Sequence, residues 1–443
     1  MQTKQAVPEH LRINASYKPL FSFIAKAISD FLNQHQHQLR PKPDCETATQ
    51  SVPLGFTFSF TCEQTSISHG TLIQWDKGWD IPEALGKDPC AMLQESIDEL
   101  KLPVQVSALA NDSVGTLLTR AFTSQGHGST LAAVIIGTGT NAAYIERLRN
   151  VRRIPQTEKK EMHESIVLNT EWGCFDDALK VLPTTPYDRA LDASSIYPGN
   201  QQLEKRVSGM YLGELMRLVI LHCQNQGLFD MVLDNESPCN RQHGLDSSFL
   251  SLLAKEGTAG SLDVAKTIER ILSAHNVTPN DVRVMEQLAD GIVKRSARLV
   301  GSALGAIIVQ SGRLNHFHSE KRPIQITSMQ TQRHGAQSSK HRRIGCGLFA
   351  KISGYFKRLI STSTKLQLAG CKTSTSSTEE DVIDIGVDGS LIELYPGFEA
   401  YIRSALRDIQ EIGPEGEEKV KMGLARDGSG VGAALMANAA ISA

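Results

Sequence analysis

At 443 residues the chain is long enough for two domains of ordinary size, each burying its own core. A formal net charge of -2, with 40% hydrophobic and 21% charged residues, is ordinary for a globular protein and excludes any global attraction to nucleic acid or membrane. The eight cysteines (Cys45, Cys62, Cys90, Cys174, Cys223, Cys239, Cys346, Cys371) show neither a Cys-x-x-Cys pair nor zinc-site spacing, so reduced thiols in a cytosolic or nuclear compartment are expected.

The amino terminus, MQTKQAVPEHLR, lacks the apolar run of a signal peptide, and no apolar stretch is long enough to span a bilayer. Leu20, Ile24, Ala27, Ile28 and Phe31 recur at helical spacing, which predicts an amphipathic helix over 17–33. SVPLGFTFSF (51–60) alternates apolar with small polar residues and reads as a strand, and His69-Gly70 then offers a turn before TLIQW. Met92 to Leu100 reads as a helix and PVQVSALA as a strand. STLAAVIIGTGT reads as another strand that breaks into a glycine loop. Long helices are predicted over 203–223 and 284–309, the second carrying Gly301, Ala303, Gly305 and Ala306, small enough for a neighbour to approach closely. No internal repeat at a solenoid period is present.

Arg313 to Thr378 breaks this rhythm. Eleven Lys and Arg residues from Lys321 to Lys372 meet almost no acids, and the stretch closes on TSTSST. It reads as a disordered basic insertion, because such segments rarely offset their ordering entropy. A nuclear-import or phosphate-binding patch centred on KHRRIG is the sharper alternative. GLFAKISGYFKRLI (347–360) also has the pattern of a basic amphipathic helix for a membrane or partner.

The chemistry begins at VSALANDSVGTLL (106–118), where an apolar strand ends in Asn111-Asp112. One reading makes these residues caps of the next helix; the other places a reactive carboxylate at a strand end, where ligands gather. IIGTGTNAAY supplies a glycine loop whose N–H groups suit a phosphate, and LNTEWGCFDD puts Glu171 in a polar turn.

Together these segments resemble the hexokinase family, its fungal members above all. PLGFTFSF with EQ and GTLIQWDKGWDIP is similar to the family's sugar signature. NDSVGTL, GTGTNAAY, NTEWGCFDD, YPGNQQLEKRVSGMYLGELMRLVIL, DIGVDGSLIELYPGF and ARDGSGVGAALMA follow in the family's order. The resemblance implies an α/β, two-lobed hexokinase-like (actin/RNase H-type ATPase) fold. One lobe would comprise 1–112 with 426–443 returning to it, the other 113–425, with the insertion at 313–378. It implies ATP-dependent phosphorylation of the 6-hydroxyl of a hexose such as glucose, at the entry to glycolysis, by a cytoplasmic protein.

Residue by residue, the resemblance implies Asp112 as the general base. It implies Ser59, Lys77, Asn111, Asn141, Glu171 and Glu204 as hexose contacts. Gly137, Thr138, Gly139, Gly389 and Ser390 would hold ATP, with Mg2+ accompanying its phosphates, and Thr278 is a looser match on the nucleotide side. Transfer then requires phosphates, metal and attacking hydroxyl held in line.

Three departures stand out. The family's Asp-Leu-Gly-Gly-Thr type hairpin, which cradles ATP phosphates, has no counterpart before QAVPEHLRINASYKPLF. An incomplete small lobe with an unpaired sheet edge is therefore expected, and the loss of phosphate donors would slow transfer by a factor on the order of hundreds. Asp76 stands where the family has Thr, beside Lys77, and Thr61 where it usually has Pro. Three readings follow: an active hexose kinase whose missing hairpin and added insertion are errors of the gene model; a shortened hexose-binding regulator, with a protein partner recruited through the basic insertion; or a decaying copy with no stable fold. The first carries the family function, with low turnover expected of the chain as written. No specific nucleic-acid partner is expected.

Overall fold

A computed structural model describes residues 2–35, 51–75, 78–124, 130–152, 154–155, 159, 164–256, 262–316 and 382–441. Asp76, Lys77 and the basic stretch from 317 to 378 lie outside the described residues.

Helix α1 (Lys18–Gln34) starts with Pro19 inside its first turn, where the missing N–H costs nothing, and buries Leu20, Phe21 and Ala25. Strand β1 (Val52–Thr57) is followed by the hairpin β2 (Thr61–Ser66) and β3 (His69–Gln74), then α2 (Pro89–Glu99) and β4 (Val104–Ala110). β1 and β4 pair in parallel, with a bulge at Leu54/Gly55. The 51–60 run is thus two elements: Phe58, Ser59 and Phe60 leave β1 as a connection to the hairpin. Phe58, Phe60, Trp75 and Trp79 pack ring against ring at 4.6–5.8 Å between centroids. They belong to a hydrophobic cluster running from Leu11 to Leu109.

Helix α3 (Asp112–Thr123) leads to β5 (Thr130–Ile136), β6 (Thr140–Arg147) and β7 (Ser165–Asn169). These join β8 (Ile383–Asp388) and β9 (Val420–Leu424) in a five-stranded sheet of order β9-β8-β5-β6-β7. β5, β8 and β9 are parallel, and β6 runs antiparallel to both of its neighbours, β5 and β7. A second and larger core lies against this sheet.

Helices α4 (Pro186–Ser194), α5 (Glu204–Val207), α6 (Gly209–Asn225), α7 (Ser248–Glu256), α8 (Leu262–Leu272) and α9 (Pro279–Ser311) cover it. The helix expected over 203–223 is broken, because Ser208 is extended at φ -89°, ψ 152°. α9 begins with a reciprocal capping box between Thr278 and Asp281 and ends at Gly312 in the left-handed region, φ 67°. Its small residues do what their size suggests: a Cβ on Gly301 would lie 2.8 Å from the Ile402 carbonyl of α11 (Phe398–Asp408), which follows the short α10 (Ser390–Leu394). Arg313–His316 forms one further turn with Leu314 buried in the large core, so the ordered fold extends past the expected start of the insertion at 313.

The last helix, α12 (Gly428–Ile441), returns to the amino-terminal region. A Cβ on Gly432 would fall 2.0 Å from the Gly115 carbonyl of α3, and one on Gly55 2.0 Å from the Ala433 carbonyl, so bare glycines permit this crossing. A small cluster of Ala108, Ala110, Leu118, Ala433, Met436 and Ala437 fills it. Among the described residues no helix is long and apolar enough to cross a membrane.

Candidate active site

Asn111 follows β4 and caps α3: its Oδ1 accepts from the Ser113 N–H at 2.9 Å and from the Ser113 hydroxyl at 2.7 Å. Asp112, one residue on, accepts from the same N–H at 2.7 Å. The two readings of this pair are therefore compatible, since the cap fixes the turn on which Asp112 sits.

Asp112 lines a cavity of about 220 Å³ together with Ser59, Asn111, Asn141, Glu171 and Glu204. Five of the six sequence-derived hexose positions thus share one space with the expected base, and Lys77 lies outside the described residues. Asn141 is the hub. Its amide donates to Asn169 Oδ1 at 2.8 Å, Glu171 Oε1 at 3.2 Å and Asn111 Oδ1 at 3.4 Å. Asn169 also donates to Glu171 Oε1 at 2.6 Å. Glu171 itself is in the left-handed region at φ 47°, a sparsely populated conformation for a side chain with a Cβ.

Glu204 is buried, and its Oε2 accepts from the Thr140 N–H at 3.0 Å. Gly173 lies flat beside it, where a Cβ would come within 3.3 Å of Glu204 Cβ. Phe60, Gln201 and Cys174 line the same cavity and were missed in the sequence reading, while Thr61, noted there as a departure, lines it too. Gln201 had a signal, as it stands three residues before Glu204 within the quoted GNQQLEK segment, and its φ of 56° turns it out of the helix that follows. Burial pushes the Cys174 thiol above its ordinary pKa, and the carboxylates of Asp177, Glu171 and Glu204 reinforce the shift, so it stays protonated.

A second cavity, of about 740 Å³, adjoins the first. Thr138 lines both. The loop at 137–139 is a tight turn, Gly137 N–H to Gly139 carbonyl at 3.0 Å, anchored by α6: the Gly209 and Met210 N–H groups donate to the Gly137 and Thr138 carbonyls at 2.8 and 3.2 Å. That anchoring explains the break at Ser208. Gly389, at φ 116°, packs under the loop so tightly that a Cβ would meet the Ile136 carbonyl at 2.3 Å. Ser390 lines the cavity, as do His243, Asp246 and Lys255, for which the sequence offered no recognisable pattern. Asp388 ends β8 here; burial raises its carboxyl pKa, Gly389 and Gly428 N–H groups oppose the shift, and Glu393 and Asp427 add to it. Thr278 is not among the lining residues; its hydroxyl is committed to the α9 cap, accepting from the Asp281 N–H at 3.2 Å.

Comparison with known proteins decides the family. The hexokinase family matches residues 131–439 and, in a second segment, residues 1–122. The chain belongs to the hexokinase family. A glucokinase of Aspergillus niger is 36% identical over 98% of the chain and 79% of its own length. Glucokinase-1 of Saccharomyces cerevisiae is 32% identical over 98% and 78%. Among solved structures, a Schistosoma mansoni hexokinase complexed with glucose superposes with a TM-score of 0.69 at 26% identity, covering 98% of this chain and 78% of that one. The hexokinase fold expected from the motifs is the fold observed.

Proposed function

We propose that this hexokinase-family chain binds a hexose such as glucose in the 220 Å³ cavity and transfers to its 6-hydroxyl the γ-phosphoryl group of ATP bound in the 740 Å³ cavity. The observation that carries the proposal is the meeting of the two cavities at Thr138, with Asp112 on the wall of the smaller one. The amides and carboxylates of Asn111, Asn141, Glu171 and Glu204 offer the fixed donors and acceptors that a ring of hydroxyls demands. Asp112 accepts the hydroxyl proton as the oxygen attacks phosphorus.

The nucleotide is assigned to the larger space because Thr138 of the glycine loop and Ser390 line it. Mg2+ would come in on the phosphates, where it would neutralise their charge. In this reading residues 1–112 and 426–443 form the lobe that moves against 113–425, and closure excludes water from the transfer.

A second reading, hexose binding without transfer, is favoured by β1, which among the described residues pairs only with β4. An ADP-release assay with glucose distinguishes them. Phosphoryl transfer predicts turnover that Asp112→Ala abolishes while calorimetric glucose binding persists. Glucose binding that Glu171→Ala and Glu204→Ala remove, without turnover in the parent chain, would support the second reading instead. No glucose binding in the parent chain would overturn both.

A further inference from the structure

The segment 170–175 has two faces. Glu171, Gly173 and Cys174 line the hexose cavity, while Thr170, Trp172 and Phe175 line another cavity, of about 420 Å³, behind it. The same alternation occurs at Leu203, on the rear cavity, and Glu204, on the front one. Trp172 links the two sides, since its indole N–H donates to the Thr140 hydroxyl at 3.0 Å while the Thr140 N–H holds Glu204.

Among the described residues no charged side chain lines the rear cavity. Its two hydroxyls are already used: Thr170 donates to the Ala142 carbonyl at 2.8 Å and Ser302 to the Arg298 carbonyl at 2.9 Å. These lining residues therefore offer an occupant no ionic partner and no free hydroxyl donor. What the walls do offer is apolar surface left in water, with Phe175 53% and Val181 70% exposed. A space of this size and lining matches the common profile of a small-molecule pocket.

We propose that the rear cavity is a binding site for a neutral, apolar small molecule, and that its occupancy changes hexose affinity through the shared wall at 170–175 and 203–204. The coupling rests on the hexose reading above; the binding does not. A ligand packed on Trp172 and Phe175 restrains the backbone that presents Glu171, so each site biases the other.

The test is calorimetric titration of the full chain with indole, which is neutral and aromatic. Saturable binding is expected, lost in Ala306→Trp and in Ser302→Phe, two exposed α9 positions at the cavity where a larger side chain occupies the space without disturbing the core. Circular dichroism checks that each variant is folded. Saturating indole should shift glucose affinity about fivefold or more, and saturating glucose should shift indole affinity by the same factor. Absence of saturable binding to the full chain, whether because the cavity rejects indole or because another part of the chain fills it, overturns the site. So does undiminished binding in both folded variants. Equal glucose affinity with and without indole overturns the coupling. Should glucose fail to bind while indole binding is still lost in both variants, the hexose reading and the coupling fall together and the apolar site stands.

Discussion

Replacing Arg120 by alanine should be among the most damaging single changes to this protein. Arg120 projects from α3, the helix that begins with Asp112, and grips Asp384 on β8: Nη2 lies 2.5 Å from Oδ1, and Nε lies 3.1 and 3.0 Å from the two oxygens. Asp384 is fully buried and also accepts from the Thr130 hydroxyl at 2.8 Å. The arginine stem runs across the bare faces of Gly386 and Gly423, where a Cβ would lie 2.8 Å from Arg120 Cβ and 2.3 Å from its Nη1. Alanine at 120 thus removes the cation from a buried carboxylate and the atoms that cover two strands. Breaking such a pair costs about 3–5 kcal/mol, and the charge of Arg313, which also acts on Asp384, favours the lower end, about 3 kcal/mol. Urea unfolding of the full chain measures this by linear extrapolation. Asp384→Ala combined with Arg120→Ala should cost less than the sum of the two single changes, by about 0.5–3 kcal/mol. A loss below about 1 kcal/mol for Arg120→Ala, or strict additivity, would refute the argument.

Further outcomes follow from other contacts. Burial alone would raise the Asp188 pKa, but the bidentate Arg295 pair at 2.8 and 2.9 Å and the Thr185 cap outweigh it and hold the carboxyl below its ordinary range. The stability this contributes is complete above the unfolded carboxyl value of about 4 and is lost as pH falls through the lower folded value. Asp188→Asn should therefore flatten the fall of Tm below about pH 4, and parallel curves would contradict the assignment. Thr278→Ala should cost about 1 kcal/mol of stability by removing the α9 cap while leaving the KM for ATP unchanged; a raised KM would return Thr278 to the nucleotide side. Gly432→Ala should cost about 1–3 kcal/mol through overpacking of α12 on α3, read from thermal or urea unfolding, and a neutral result would mean that the crossing is looser than the 2.0 Å contact implies.

The motif residues were legible because their chemistry is local. A strand that ends in Asn-Asp, a Gly-Thr-Gly loop and a Thr-Glu-Trp-Gly turn each announce polar groups at element ends, and the structure brings five of the six hexose positions to one cavity with Asp112. What could not be read depends on tertiary contact. The break at Ser208 arises because the carbonyls of Gly137 and Thr138 take the first N–H groups of α6. Asn169 enters the polar network through β7, and Gln201 reaches the cavity from a left-handed turn, neither of which periodicity registers. His243, Asp246 and Lys255 reach the larger cavity from segments with no pattern of their own. Thr278, a looser match to the nucleotide side, spends its hydroxyl on a helix cap.

A crystal structure of the chain grown with glucose tests the central claim most directly. The account predicts the sugar between Asn141, Glu171 and Glu204, with its primary alcohol oxygen within hydrogen-bond distance of an Asp112 carboxylate oxygen. Glucose bound elsewhere, or bound there with that alcohol turned away from Asp112, would contradict it.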